Sequence, residues 1–348
     1  MEKRPRLHYL DWARGLATVG MIQYHALDSW VRPDLRTSDL FQVAQMIGGM
    51  PAVMFIFLTG MSLVILLQRA ERDGAGGAGK VILRRSGYIL GIALLFRFQQ
   101  WIFYWPPNSL AGLLRVDVLN TMAVGLGVAG LAMLLLPARL RMAGAAAGAV
   151  LVAMLTPLAW SLPAGALPAS LLAYLRGGVE YAAFPAFPWI SYAFTGVLAG
   201  LAIVGKRDPV EIDRVMQWLT LLAVVLIVLA RLFDSLPYTY YRSYNYWLTS
   251  PNLVANRTAM ALLILVGSYG WSNLVDLTRF SWIRQIGITS LLVYWVHIEI
   301  VYGRFFWFFK GRLGLGQAVA AIAVLTGLMV LLSVAKTRYA KGLPKASS

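Results

Sequence analysis

Two histidines and one arginine in apolar segments are the residues of this chain best suited to chemistry. Histidine occurs only three times, and His25 and His297 both lie in stretches long and apolar enough for a membrane span. Arg14 precedes His25 by eleven residues, which is three helical turns plus about 20°, so both share one helix face about 16 Å apart. Imidazole exchanges protons near neutral pH, so His25 is predicted to be a general base.

Other polar residues extend this face of the first apolar segment. Asp11 and Thr18 lie toward its N-terminal end, and Asp28 follows His25 by one turn. Asp28 is predicted to orient the imidazole of His25 and to stabilise its protonated form. Such a stripe has to face a bundle interior or a wet cavity, because ionisable residues in contact with hydrocarbon are expensive. A structural salt bridge with a satisfied buried histidine is the alternative.

The second histidine lies in the apolar segment GITSLLVYWVHIEIVYG. Tyr294 shares a helix face with His297, whereas Glu299 points elsewhere. We expect the two histidines to converge in the bundle, which makes His297 a candidate catalytic residue beside His25 and Asp28. Three histidines without suitably spaced carboxylates make a poor metal site, so no metal is expected. The chain has no cysteine and no G-x-S-x-G motif, which disfavours conventional nucleophilic hydrolysis.

A second group of polar residues occurs around the third and fourth apolar segments. Arg97 interrupts FRFQQW, and Arg115, Asp117 and Asn120 open the next segment as RVDVLN. Arginines suit phosphate or carboxylate ligands, so Arg97 and Arg115 are candidates for binding such a ligand, with Asp117 and Asn120 lining the same cavity. A structural ion pair, for instance between Arg115 and Asp117, is the alternative.

Two more residues are candidates for binding a substrate. Glu180 precedes the proline-rich segment FPAFPW, and Trp247 ends the aromatic run YTYYRSYNYW. An interfacial belt of Trp and Tyr explains most of this aromatic density. A platform on which sugar rings stack is the alternative interpretation of the same run.

The elements that would position these residues are predicted to be membrane-spanning helices. The chain is 59% hydrophobic and only 13% charged over 348 residues, whereas soluble domains carry about twice that share of charge. We predict an all-α, polytopic transmembrane helix bundle that forms a single domain over residues 1–348. About ten apolar runs have spanning length, at residues 10–30, 44–68, 83–104, 117–136, 143–161, 187–205, 215–233, 255–272, 285–303 and 316–334.

The net charge of +16 is explained by membrane topology. The basic residues cluster at the ends of apolar runs, so a nucleic acid partner is not expected and the lipid bilayer is. With a cytoplasmic N-terminus and ten spans, roughly two thirds of the Lys and Arg residues lie on the cytoplasmic side, which favours an N-in, C-in orientation. The basic N-terminus precedes a long, polar-studded span without a clear small-residue cleavage site, which predicts a retained first helix.

Five segments resemble, in order, those of bacterial relatives of heparan-α-glucosaminide N-acetyltransferase. They run from about residue 7 to 303 and read LDWARGLATVGMIQYH, MFIFLTGMSL, RVDVLNTMAVG, FPWISYAFTGVLAG and IGITSLLVYWVHIEIVYG. The spacing of Arg14 and His25 is also similar to the R-x10-H motif in the first span of acyltransferase-3 membrane O-acyltransferases.

This resemblance implies a membrane acyltransferase of the bacterial inner membrane. Such proteins move an acyl group, usually acetyl, from cytoplasmic acetyl-CoA or another acyl-CoA to a hydroxyl or amine of an extracytoplasmic sugar, glycan or glycolipid. The heparan enzyme has its proposed active histidine just after the first span. Since this chain has no histidine between His25 and His297, the role falls to His25, as in the acyltransferase-3 pattern. Arg14 would then meet the CoA end. The resemblance also implies donor binding by Arg97, Arg115, Asp117 and Asn120, and a place near the acceptor for His297, Tyr294, Glu180 and Trp247.

The expected cavity is lined by spans one, two, three, four and nine, and a homodimer is left open. A proton-coupled transporter or flippase that uses the same polar stripe is the first alternative. It is disfavoured because no internal repeat is obvious. A structural or regulatory membrane protein with a buried salt-bridge network is the second.

Overall fold

The computed structural model describes residues 7–72, 77–103, 110–179, 181–236, 241 and 244–342. Within these ranges every regular element is helical. The α-helices are α1 His8–Trp30, α2 Asp39–Gly48, α3 Met50–Arg72, α4 Ala78–Phe103, α5 Val118–Leu135, α6 Arg141–Trp160, α7 Ala169–Leu175, α8 Ala186–Ile203, α9 Pro209–Asp234, α10 Pro251–Leu274, α11 Trp282–Ile288, α12 Ser290–Tyr302 and α13 Leu315–Gly342.

These helices make the chain a multi-pass membrane protein. In the described part of the chain, seven runs are long and apolar enough to cross a membrane, with α2 and α3 counted as one run. The bent pair of α11 and α12 makes eight. The other two predicted spans fall on α1 and α4, which have 23 and 26 residues and therefore spanning length, but whose polar residues lower their hydropathy. The count of ten and the N-in, C-in orientation stay predictions.

The chain divides into two compact units. The first comprises Met1–Ala52, Phe103–Pro107 and Gly267–Ser348, and so contains α1, α2, α11, α12 and α13. The second comprises Val53–Ile102 and Asn108–Val266, and so contains most of α3, α4 and α10 and all of α5 to α9.

In the first unit, α1 crosses α11 with the two backbones in contact. A Cβ added to Gly15 would overlap the carbonyl oxygen of Ile283, and one added to Gly287 would overlap that of Asp11. Small residues at a membrane helix crossing permit such an approach. The contact fixes α11, and therefore the start of α12, beside α1.

The predicted continuous span 285–303 is broken in the structure. The axes of α11 and α12 meet at a bend of 92°, where Thr289 has non-helical backbone angles. The Thr289 hydroxyl donates to Ser333 Oγ at 2.6 Å, and that hydroxyl donates to the carbonyl of Gln285 at 2.8 Å. A broken helix is tolerated in a membrane where buried partners satisfy its polar groups, and α13 supplies the partner here.

In the second unit, α8 is the central helix and packs on α5 and α6. A Cβ on Gly196 would overlap the carbonyl oxygen of Phe57, so α3 also approaches α8 at backbone distance. Apolar side chains from these helices form one buried cluster that includes Leu63, Leu126 and Phe194. The short helix α7 was not among the predicted elements.

Candidate functional site

The two histidines from distant parts of the sequence meet in the first unit. His25 Nδ1 lies 2.9 Å from His297 Nε2, and the planes of the two rings are inclined by only 15°, with centroids 5.2 Å apart. His297 is fully buried. The convergence that the sequence predicted is therefore confirmed.

A backbone carbonyl fixes the tautomer of this pair. His297 Nδ1 lies 2.7 Å from the carbonyl oxygen of Val293, one turn earlier on α12. A carbonyl only accepts, so Nδ1 of His297 carries the proton and its Nε2 has a lone pair. Nδ1 of His25 must then be the donor to that lone pair. Neutral His25 consequently has its own lone pair on Nε2, the atom that a general base uses.

His297, and not Asp28, therefore orients the imidazole of His25. The one-turn spacing between His25 and Asp28 had predicted Asp28 in this role. Asp28 Oδ2 instead accepts a hydrogen bond from the hydroxyl of Tyr302 at 2.7 Å. The ring of Tyr302 lies edge-on to the His25 imidazole, with centroids 5.7 Å apart. Tyr302 therefore contacts both Asp28 and His25. Sequence reasoning did not single out Tyr302, because nothing local marks it as a neighbour of α1.

Further bonds hold the end of α1 against α12. Ser29 Oγ donates to the carbonyl of Val301 at 2.9 Å. Arg36 Nη2 donates to the carbonyl of Asp28 at 2.7 Å and so satisfies a free carbonyl at the helix end. The ring of Tyr294 lies 6.1 Å from that of His297 between centroids. The structure therefore places Tyr294 beside the histidine pair.

The stripe predicted on α1 is shielded at its N-terminal end. Asp11 and Thr18 are 3% and 0% exposed. Arg14 lies 3.6 Å from the carboxylate of Asp11 and keeps 30% of its side chain exposed. Arg14 is therefore ion-paired but still accessible.

Three of the four predicted donor-binding residues of the second unit, Arg97, Asp117 and Asn120, form a bonded cluster. Asp117 is the N-cap of α5: its Oδ1 accepts from the backbone N–H groups of Leu119 and Asn120 at 3.0 and 3.3 Å. Asn120 Oδ1 accepts in turn from the backbone N–H of Asp117, which completes a capping box. The ion-pair partner of Asp117 is Arg97, at 2.8 Å.

The suggested pair of Arg115 with Asp117 is thus wrong. Arg115 is exposed, whereas Asp117 is buried and pairs with Arg97. Trp247 is 57% exposed and lies edge-on to Tyr246 with ring centroids 5.2 Å apart. Glu180 lies outside the described residues.

A cavity of about 740 Å³ lies in the first unit between α1, the end of α10 and the segment leading into α11. Trp12 and Leu16 line it from α1. Trp12 is two residues from Arg14, or about 200° around the helix, so the cavity lies on the other face of α1 from the polar stripe. The predicted cavity between spans one, two, three, four and nine stays a prediction.

The ionisable groups with shifted pKa values outside the spans include Asp276 and Lys310. Hydrogen bonds from the hydroxyl and the backbone N–H of Thr278 lower the pKa of Asp276, which lines the cavity. Burial lowers the pKa of Lys310, whose Nζ donates to the carbonyl of Tyr302 at the end of α12. Among the described residues no group of three His, Asp or Glu side chains is placed to hold a metal ion.

Comparison with known protein families identifies the first two thirds of the chain. The family model for the heparan-alpha-glucosaminide N-acetyltransferase catalytic domain matches residues 6–232. The match includes Arg14 and His25 and ends before His297. No curated protein matches the chain. Since the model covers more than half of the sequence, the chain belongs to the heparan-alpha-glucosaminide N-acetyltransferase family, a family of membrane acetyltransferases.

Proposed function

We propose that this protein transfers an acetyl or other acyl group from cytoplasmic acyl-CoA to a sugar on the extracytoplasmic side of a bacterial inner membrane. The acceptor atom would be a hydroxyl oxygen or an amine nitrogen of a sugar, glycan or glycolipid. Family membership supports acetyl transfer. The observation that carries the proposal is the hydrogen bond between His25 and His297, since it prepares one unprotonated nitrogen for base chemistry.

The first step is attack on the thioester. Nε2 of His25 takes the proton from the acceptor O–H or N–H while the acceptor atom forms a bond to the thioester carbonyl carbon. His25 becomes an imidazolium, and its Nδ1–H bond to His297 becomes charge-assisted and stronger. His297 remains neutral and anchored to the carbonyl of Val293.

The second step is collapse of the tetrahedral intermediate. The bond between carbonyl carbon and sulfur breaks, and the sulfur takes the proton from Nε2 of His25. The products are the free thiol of CoA and an ester or amide on the sugar, with His25 neutral again. No acyl-enzyme and no metal is needed for this balance.

The other predicted residues have narrower roles in the proposal. Arg14, about three turns from His25 and partly exposed, would bind the phosphates or amides of the donor. The exposed Arg115 remains a candidate for the same substrate. Arg97, Asp117 and Asn120 act in donor binding only through the position of α5, because their side chains already bond one another. Tyr294, Glu180 and Trp247 remain candidates for the acceptor.

The experiment is acyl-CoA turnover by the purified protein in nanodiscs. Acetyl-CoA is offered with a panel of amino sugars and glycan fragments, and release of free CoA is measured for the wild type and for His25→Ala. Loss of the base should lower acceptor-dependent release by about 10²- to 10⁴-fold. His8→Ala, which removes the remaining histidine outside the pair, should keep wild-type release. Full activity of His25→Ala would refute the mechanism.

A proton-coupled transporter is a second candidate, favoured by the broken helix pair α11 and α12. Discontinuous helices are characteristic of several transporter folds. In that case His25 and His297 would relay protons. Movement of an unmodified sugar into liposomes, driven by a proton gradient and without release of CoA, would identify this function.

A further inference from the structure

A cation in the second unit takes no part in the proposed chemistry. Arg257 lies six residues after the start of α10 at Pro251, about 9 Å along the helix. Leu253 and Ala261, one turn before and after it, are buried with 8% and 0% exposure. Arg257 shares their helix face, so its side chain points into the unit and not toward lipid.

The surroundings of Arg257 are aromatic. Its guanidinium carbon lies 5.7 Å from the ring centroid of Trp189 on α8. The same guanidinium lies beside the hydroxyl of Tyr192, which is 1% exposed and has no complete hydrogen bond within the described residues. Trp189 also contacts Phe184, with ring centroids 4.7 Å apart.

The described residues supply no counter-charge to this guanidinium. None of the ion pairs in the described part of the chain includes Arg257. Arginine has five N–H donors in a planar fork, and a ring face with one hydroxyl uses only part of them. An intramembrane cation is costly without a counter-charge and marks a functional site by default. The fork matches a carboxylate or a phosphate.

We propose that Arg257, Trp189 and Tyr192 form a binding site for a sugar that carries an oxyanion. The guanidinium binds the carboxylate or phosphate, and the hydroxyl of Tyr192 donates a hydrogen bond to the same oxyanion. The face of one of the aromatic rings at the site contacts the sugar ring. That this sugar is the acceptor of the acyl transfer rests on the proposed function. That the site binds such a sugar does not.

The test compares three probes that share one sugar ring: glucose, glucuronic acid and glucose 6-phosphate. Binding to the full-length protein in nanodiscs is measured by calorimetry without acyl-CoA. We expect one of the charged sugars to bind about tenfold or more tightly than glucose, since a hydrogen-bonded charge pair is worth at least that factor. The charged sugar that binds identifies the oxyanion. Inorganic phosphate alone should bind more weakly than the charged sugar.

Variants assign the preference to the site. Arg257→Gln should abolish the preference for the charged sugar, and Arg257→Lys should keep part of it as a point charge. Trp189→Leu should weaken all three sugars. Arg231→Gln is the matched control, because Arg231 is an exposed arginine in the last turn of α9, and should bind like the wild type. Size-exclusion profiles establish that each variant is folded.

Three outcomes would overturn the proposal: equal binding of the three sugars, an unchanged preference in Arg257→Gln, or phosphate alone binding as tightly as the charged sugar.

The proposed function is tested separately, by the release of CoA. Charged-sugar binding through Arg257 without release of CoA would retain the site and remove the transferase. Release of CoA with amino sugars that carry no oxyanion, with no effect of Arg257→Gln on release or binding, would support the transferase and refute the site.

Discussion

At the scale of single residues, the histidine pair is a chain of directed hydrogen bonds. The carbonyl of Val293 accepts from His297, and His297 accepts from His25. Each link sets the next because a neutral imidazole has one donor and one acceptor. Protonation at the free Nε2 of His25 strengthens these hydrogen bonds and leaves the donor and acceptor of each unchanged. In the proposed mechanism His297 is therefore a positioning residue, and its contribution depends on its lone pair.

This role predicts a difference between two substitutions of His297. In His297→Gln the side-chain oxygen can still accept from Nδ1 of His25, whereas His297→Leu offers no acceptor. We expect His297→Leu to lower kcat by about 10²-fold or more, and His297→Gln to recover about a tenth or more of wild-type kcat. KM for acyl-CoA should stay within about twofold in both, since the proposal places no donor contact at this residue. Equal kcat values for the two variants would contradict the acceptor role.

The bond between Asp28 and Tyr302 makes a second prediction at this scale. Asp28→Asn and Tyr302→Phe should each cost about 1–2 kcal/mol of stability, because each weakens or removes one charge-assisted hydrogen bond. The double variant should cost little more than either single one, since the two side chains share that bond. Thermal unfolding in detergent measures all three. Fully additive effects would show that the two residues act independently.

At the scale of elements, the crossing of α1 and α11 depends on two glycines. Gly15→Ala and Gly287→Ala place a Cβ on a backbone carbonyl of the other helix, and separation of the helices should cost about 1–3 kcal/mol. Gly327→Ala in α13 is the control, since nothing lies within 4 Å of its Cβ position and alanine favours helix. Thermal unfolding should show lower midpoints for the first two variants only. Unchanged midpoints in Gly15→Ala would refute the close crossing.

The N-terminus of α5 offers a test of whether Asp117 acts as a cap. Asp117→Asn keeps an oxygen for the backbone N–H groups of Leu119 and Asn120 but loses the charge opposite Arg97. Asp117→Ala loses both, so it should be less stable than Asp117→Asn by about 1 kcal/mol. Unfolding midpoints of the two variants in detergent give the difference. Equal midpoints would show that the Asp117 cap does not contribute to stability.

At the scale of the whole molecule, the orientation and the ten spans are testable by labelling. The chain has no native cysteine, so single cysteines can be introduced without a background. With ten spans and a cytoplasmic N-terminus, Thr37→Cys and Trp247→Cys should react with an impermeant reagent added outside. Arg139→Cys should react only after the membrane is opened. External labelling of Arg139→Cys would show that α1 or α4 does not cross, or that the orientation is wrong.

The sequence by itself determined the fold class, the membrane environment and the family. Composition and the length of apolar runs set the first two, because the bilayer dictates how long and how apolar a span must be. Ordered motifs carried the third, and the family match confirmed it. The sequence also predicted the polar face of α1, since a helix places residues at regular angles whatever its neighbours are.

Tertiary structure alone decided which side chains meet across helices. His297 and not Asp28 bonds to His25, Arg97 and not Arg115 pairs with Asp117, and the span at 285–303 bends at Thr289. Helical periodicity is local and relates a residue only to neighbours three or four positions away. Contacts between distant helices depend on where backbones can approach, as at Gly15 and Gly287. Packing of the complete chain settles that, and no local pattern records it.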